Sequence, residues 1–200
     1  MRKSRSPQAG RRSTSTRSTR GSRAKNGAGR DDAISLMKAD HREVERLFGE
    51  FEHAREARQR DIAAQICQAL RTHMTIEEEI FYPAFLEATE DKDLHHEAEI
   101  EHAGAKHLIG EIESTGSGDD HFEARVTVLQ EMIKHHVKEE EQRGGMFSKA
   151  QSSDMDLTQL GRQMRERKLE LMGETDDAAA SRERPPPPSR MRRGREELGG

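Results

Sequence analysis

The sequence predicts an all-α protein: an antiparallel up-down four-helix bundle with a short extra C-terminal helix and disordered tails. Two observations carry this expectation. Apolar residues recur at three- and four-residue steps along four successive stretches between residues 31 and 172, the spacing that lines one face of a helix. Alternating β-branched runs, which would announce strands, are absent. Helices joined by short connections pack side by side in opposite directions.

The first stretch places Ile34, Met37, His41, Val44, Phe48 and Phe51 on one stripe. After the polar segment REARQRD, a second stripe runs through Ile62, Ile66, Ala69, His73, Ile76 and Ile80, with Pro83 as a kink or stop near its end. The third reads Ala98, His102, Ala105, Ile109 and Ile112, and the glycines and cap residues of STGSGDD separate it from the next. The fourth reads Val126, Leu129, Ile133, His136 and Glu140. Leu157, Leu160, Met164, Leu171 and Met172 are spaced to dock one face of a shorter final helix.

Outside residues 31–172 the composition changes. Residues 1–30 hold ten of the 34 Lys/Arg and none of the 38 Asp/Glu. Such a segment cannot bury enough apolar surface to offset the entropy of ordering, so it is expected to form a disordered basic tail suited to weak, non-specific contact with nucleic acid or another polyanion. Residues 173–200, with four consecutive prolines amid arginines, are expected to form a second disordered tail. No run of about 18 apolar residues exists, so no membrane partner is expected. A single cysteine, Cys67, excludes an internal disulfide and fits a reducing compartment, giving a cytoplasmic expectation. Cys67 reads as an inert, partly buried thiol, and His53, His95, His96 and His121 fall off the core rows and read as surface residues.

One histidine in an apolar stripe is ordinarily a core residue satisfied by its neighbours. Four helices each carrying one is a different observation. At about 100° per residue the stripe through Leu129 and Ile133 continues to His136 and Glu140, whereas the row holding His135 and Glu139 begins at Arg125 and faces outward. His73 and Glu77 likewise sit one turn apart. A lone His (41, 102) is thus followed by a His-x-x-x-Glu pair (73/77, 136/140) in each half of the chain, which reads as a two-fold site. Glu78, Glu79, Glu139 and Glu141 read as a solvated face.

Burying ionised carboxylates costs several kcal/mol each unless a cation is at hand, and these rows hold no buried Lys or Arg. A metal ion meets the need. Imidazole with carboxylate suits iron, zinc or manganese rather than calcium, and six donors exceed a tetrahedral set. Two ions bridged by carboxylates would use all six and keep positions open for O₂, peroxide or water.

The segments ADH (39–41), HMTIEEEIFYP (73–83), EH (101–102) and HHVKEEE (135–141) resemble the hemerythrin-like HHE cation-binding domain, a non-haem di-iron four-helix bundle, over about residues 31–170. The resemblance implies two iron ions held by His41, His73, Glu77, His102, His136 and Glu140, the glutamates bridging, with O₂, NO or peroxide as the small-molecule ligand. Oxygen-carrying members have a further histidine four residues after the third-helix ligand. Here that position is Lys106, and His107 lies one residue late, about 100° around the helix. Three functions stay open: a protein that binds or senses O₂, NO or iron; a di-iron enzyme acting on peroxide or O₂ in a catalase-like, oxidative-stress role; and a metal-free helical interaction protein. Tyr82 sits five residues past Glu77, near enough to approach the site, and reads as helix-end packing in preference to that.

Overall fold

The computed structural model describes residues 31–115 and 119–183. The expectations for residues 1–30 and 184–200 lie outside the described residues. Seven helices follow in order: α1 (Ala33–His53), α2 (Glu56–Ile76), α3 (Tyr82–Thr89), α4 (Lys92–Ser114), α5 (Phe122–Glu141), α6 (Met146–Ser152) and α7 (Leu157–Glu183). A π-helical turn, Glu77–Phe81, fuses α2 to α3. The α2–π–α3 rod, α1, α4 and α5 form the four-helix bundle.

Local chemistry sets the helix ends. The Asp32 carboxylate accepts from the Ser35 N–H at 2.7 Å and starts α1, and Asp91 does the same for α4 through Leu94 at 3.3 Å. Pro83 does not stop its helix. It occupies the start of α3, where a missing N–H costs nothing, and the π-turn before it bonds the Tyr82 N–H back to the Glu77 carbonyl, five residues earlier. The rod ends at Glu90, whose φ of 54° lies in the left-handed region.

The core consists of two apolar clusters. One holds Val44, Phe48, Ile62, Ile66, Leu70, Ile109, Val126, Leu129 and their neighbours; the other holds Ile34, Met37, Ile76, Phe81, Phe85, Ala98, Met146 and Met164 among others. Along α1 and α4 the chain passes from the second cluster to the first. Along the α2 rod, and from α5 into α6, it passes from the first to the second, as an up-down bundle requires. His41, His73, His102 and His136 mark the crossing point on each helix, so a polar layer separates the two halves.

Two elements differ from the sequence reading. Helix α6 was not foreseen: Gly144 turns the chain at φ 82°, and Gly145 packs where a Cβ would meet the Glu139 carbonyl at 2.1 Å, so α6 folds directly back over the end of α5. Helix α7 is not short. It spans 27 residues and continues past residue 172, because the Ala-, Glu- and Arg-rich segment that cannot bury a core still propagates a helix already docked upstream. Met164 is fully buried, and Leu157, Leu160 and Leu171 pack against the second cluster, whereas Met172 is exposed.

Close approach of α7 to the start of α1 depends on Gly161, where a Cβ would stand 2.6 Å from the backbone of both Asp32 and Ala33. We expect Gly161→Ala to destabilise the protein by about 1–3 kcal/mol in urea denaturation with chelator present. Gly110→Ala, which meets nothing within 4 Å, should be neutral or stabilising by up to about 1 kcal/mol. Equal effects at the two positions would contradict the close seating of α7 on α1.

Candidate metal centre

All six side chains singled out by the sequence converge in the polar layer. His41, His73, Glu77, His102, His136 and Glu140 are each no more than 4% exposed. They meet as two imidazole pairs, His41 Nε2 to His73 Nε2 at 3.1 Å and His102 Nε2 to His136 Nε2 at 3.2 Å. Each glutamate divides its oxygens between the pairs. Glu77 directs Oε1 to His73 at 3.2 Å and Oε2 to His102 at 3.4 Å. Glu140 directs Oε2 to His41 at 3.3 Å and Oε1 to His136 at 3.7 Å.

The outer nitrogen of every ring faces a second carboxylate. His41 Nδ1 lies 2.8 Å from Glu141, His102 Nδ1 2.9 Å from Glu78, His136 Nδ1 2.7 Å from Glu101, and His73 Nδ1 3.5 Å from Asp40. A carboxylate hydrogen-bonded at Nδ1, as at His41, His102 and His136, keeps a proton on that nitrogen, so that the neutral ring turns its Nε2 lone pair inward. At His73 the Asp40 contact is an ion-pair distance without a hydrogen bond. Three of these carboxylates are in turn held from outside: Glu141 by one Arg42 nitrogen, Nη2, which donates to both its oxygens at 2.7 and 2.8 Å, Glu78 by Lys106 and Asp40 by Lys168 of α7, while Glu101 lies 3.4 Å from the exposed His135. Sequence reasoning assigned Glu78 and Glu141 to a solvated face and did not single out Asp40 or Glu101. The signal was one of position: Glu78 follows Glu77 and Glu141 follows Glu140, while Asp40 precedes His41 and Glu101 precedes His102.

Tyr82 is a correction. It is 1% exposed, and its hydroxyl stands 3.1 Å from His102 Nε2 and 3.5 Å from Glu140 Oε1. In an α-helix, residue 82 would lie about 140° around the axis from residue 77; the π-turn brings it back over Glu77. His95 also departs from the surface reading, since its side chain is only 13% exposed and its ring meets Tyr82 edge-on at 6.0 Å. Phe147 of α6 stacks on His41 with ring centroids 5.8 Å apart. His107 and His135 point outward, with side chains 80% and 62% exposed. Cys67 is buried, and burial pushes its thiol up to about 12, so it is unreactive.

Electrostatics and hydrogen bonding both fit a cation. Glu77 Oε1 and Oε2 and Glu140 Oε2 are buried without a hydrogen-bond partner, and the ion pairs of these two carboxylates are all with imidazoles. Two donors held at right angles about 2.1 Å from one ion stand about 3.0 Å apart, close to the spacing of each imidazole pair. With no cation, protons fill the role. Burial alone would lower the His73 pKa, but Glu77 and Asp40 override it and raise it to about 10. At His136, Glu140 and Glu101 likewise overcome burial and raise the pKa to about 9. The same attraction, against burial, holds the Glu77 carboxyl well below its ordinary range.

At pH 7 both rings are therefore protonated in the metal-free protein, and an entering divalent ion must displace about two protons from them. Calorimetric titration in buffers of different ionisation enthalpy should report this release, with metal affinity rising with pH until it passes about 9 to 10. Release near zero at pH 7 would contradict protonated rings at His73 and His136. By elemental analysis, His136→Ala should strip metal from at least one half of the centre, while His135→Ala leaves the final content unchanged.

The family model for the hemerythrin HHE cation binding domain matches residues 32–144. Among curated proteins none matches. The crystal structure of a hemerythrin HHE cation binding domain-containing protein from Mycobacterium kansasii is similar with a TM-score of 0.64 at 20% identity, covering 76% of this chain and 94% of that one. The likeness extends to the fold. With the matched segment spanning α1 to α5, this chain belongs to the hemerythrin HHE cation-binding domain family.

Proposed function

We propose that the chain holds two iron ions, with His41 and His73 on one, His102 and His136 on the other, and Glu77 and Glu140 bridging them. The observation that supports this most directly is the division of each glutamate between the two imidazole pairs. Each ion then receives two nitrogens and two oxygens, a donor set suited to iron that leaves positions open. Iron so held supplies exchangeable electrons and a place for O₂, NO or peroxide to bind.

The chain's own residues shape that chemistry. The outer carboxylates fix the four ring orientations before any ligand arrives. A cleft of about 290 Å³ between α1 and α5, with Val44, Phe48, Ile133 and Val137 in its wall, reaches His41 from the surface and gives a small apolar molecule a route inward. Lys106 is engaged by Glu78 and His107 faces solvent, so α4 offers one imidazole where oxygen carriers are expected to offer two. Binding coupled to sensing or redox chemistry fits this ligand set better than simple carriage.

One feature favours a second reading, an enzyme acting on peroxide or O₂. Burial, with the charges of Glu77 and Glu140, pushes the Tyr82 pKa well above its ordinary value, so its hydroxyl stays protonated and can donate within the centre. The chemistry separates the two readings. Anaerobic iron loading should reach two ions per chain; on adding O₂, NO or peroxide, a binder gives a reversible spectral adduct and an enzyme gives turnover with return to the resting spectrum. Glu77→Gln should lower the iron content below two. Tyr82→Phe should keep both irons yet slow peroxide turnover by about 100-fold. Wild-type protein that takes up no metal would favour the metal-free interaction role.

A further inference from the structure

The motif HHVKEEE contains a second His/Glu pair, and the centre does not use it. His135 and Glu139 stand 3.3 Å apart on the outer face of α5. Glu101 of α4 joins them, with its Oε1 3.4 Å from His135 Nε2. The other oxygen of the same carboxylate lies 2.7 Å from His136 Nδ1, so Glu101 spans from the surface trio to the buried centre. From this juxtaposition we propose that Glu101, His135 and Glu139 form a loading site, where a divalent cation is captured from solvent and passed to His136 and Glu140. The inference rests on the centre being a metal site.

Three observations support it. The three side chains offer donor atoms within 4.8 Å of one another, a spacing that one ion could share. They are graded in exposure, with side chains 62% exposed at His135, 25% at Glu139 and 21% at Glu101, so the trio is reachable from water yet partly desolvated. A cavity of about 10 Å³, on the scale of one water molecule, then leads inward; Glu97, Glu101 and Glu139 line it together with His136 and Glu140. Glu140, 2% exposed, stands at its inner end and turns Oε1 toward His136 at 3.7 Å, an inner acceptor for an incoming cation.

Charge also distinguishes this mouth from the cleft beside His41. Three cations, Arg42, Lys134 and Lys138, line that cleft beside two carboxylates, Glu45 and Glu141, a net positive balance that disfavours a divalent ion. Among the described residues no Lys or Arg lines the smaller cavity. Acidic mouths of this kind raise the local concentration of a counter-ion and its rate of capture.

The chain carries its own reporter, since it has one tyrosine and no tryptophan and that tyrosine, Tyr82, touches His102. Chelator-stripped full-length protein would be mixed anaerobically with limiting Fe(II) or Co(II), and quenching of the Tyr82 emission followed in time. Wild type should load fast. A His135→Ala/Glu139→Gln double variant should load at least about tenfold more slowly while reaching the same final metal content and the same melting temperature. An unchanged rate would overturn the loading site and leave the metal centre standing. A lower final content would also overturn it, by placing the trio within the centre itself. If wild type binds neither ion, the metal reading fails and the loading site fails with it.

Discussion

Two glutamate carboxyl groups are buried at the middle of this bundle with no Lys or Arg among the described residues against them, and the rest of the architecture answers that constraint. Apart from the Tyr82 hydroxyl 3.5 Å from Glu140, Glu77 and Glu140 face imidazoles, which can accept a proton or yield to a metal. Burial on this scale costs several kcal/mol per charge unless it is compensated. Compensation by four imidazoles requires all four helices to bring one to the same level. The apolar clusters above and below fix that level, so the site's geometry follows from the packing of the bundle.

Around this core the charges alternate in shells. Two carboxylates lie innermost, four imidazoles surround them, four further carboxylates back the rings, and Arg42, Lys106 and Lys168 close the outside of three of these. Such nesting keeps each ring in one orientation and spreads the cost of burial over the whole layer. Helix α7 takes part although it lies beyond residues 32–144, the segment matched by the family model. It holds Asp40 through Lys168 and the π-turn through an Arg167–Glu79 pair at 2.8 Å, which ties an added element to the ring of His73.

The innermost shells were legible in the sequence because helical periodicity is a strong constraint. A stripe that includes His41 or His136 cannot place it anywhere but inside, and the tie between His135 and His136 was broken by the residues upstream. The outer carboxylates were not legible, since Asp40, Glu78, Glu101 and Glu141 sit at the edge of the stripe, where spacing alone cannot separate a second layer from solvent. Helix α6 and its Phe147 were missed because a seven-residue helix has too few turns to show a period. The length of α7 was missed because the disorder criterion measures burial, whereas a docked helix propagates on backbone hydrogen bonds and propensity.

Tyr82 was misread for a reason that carries further. Its position depends on the π-turn, where the Tyr82 N–H reaches back to the Glu77 carbonyl. Such a turn holds one residue more than an α-helical turn would need. The π form of the backbone between Glu77 and Tyr82 is therefore a determinant of the centre in its own right. Straightening the turn into a regular α-helix at the same length would carry residue 82 to about 140° from Glu77 and swing the only phenol in the protein out of the centre without altering one ligand. Losing one residue as well would instead leave the phenol four residues after Glu77, about 40° around the axis. In this bundle the backbone form of a single turn reaches the chemistry while every ligand stays where it is.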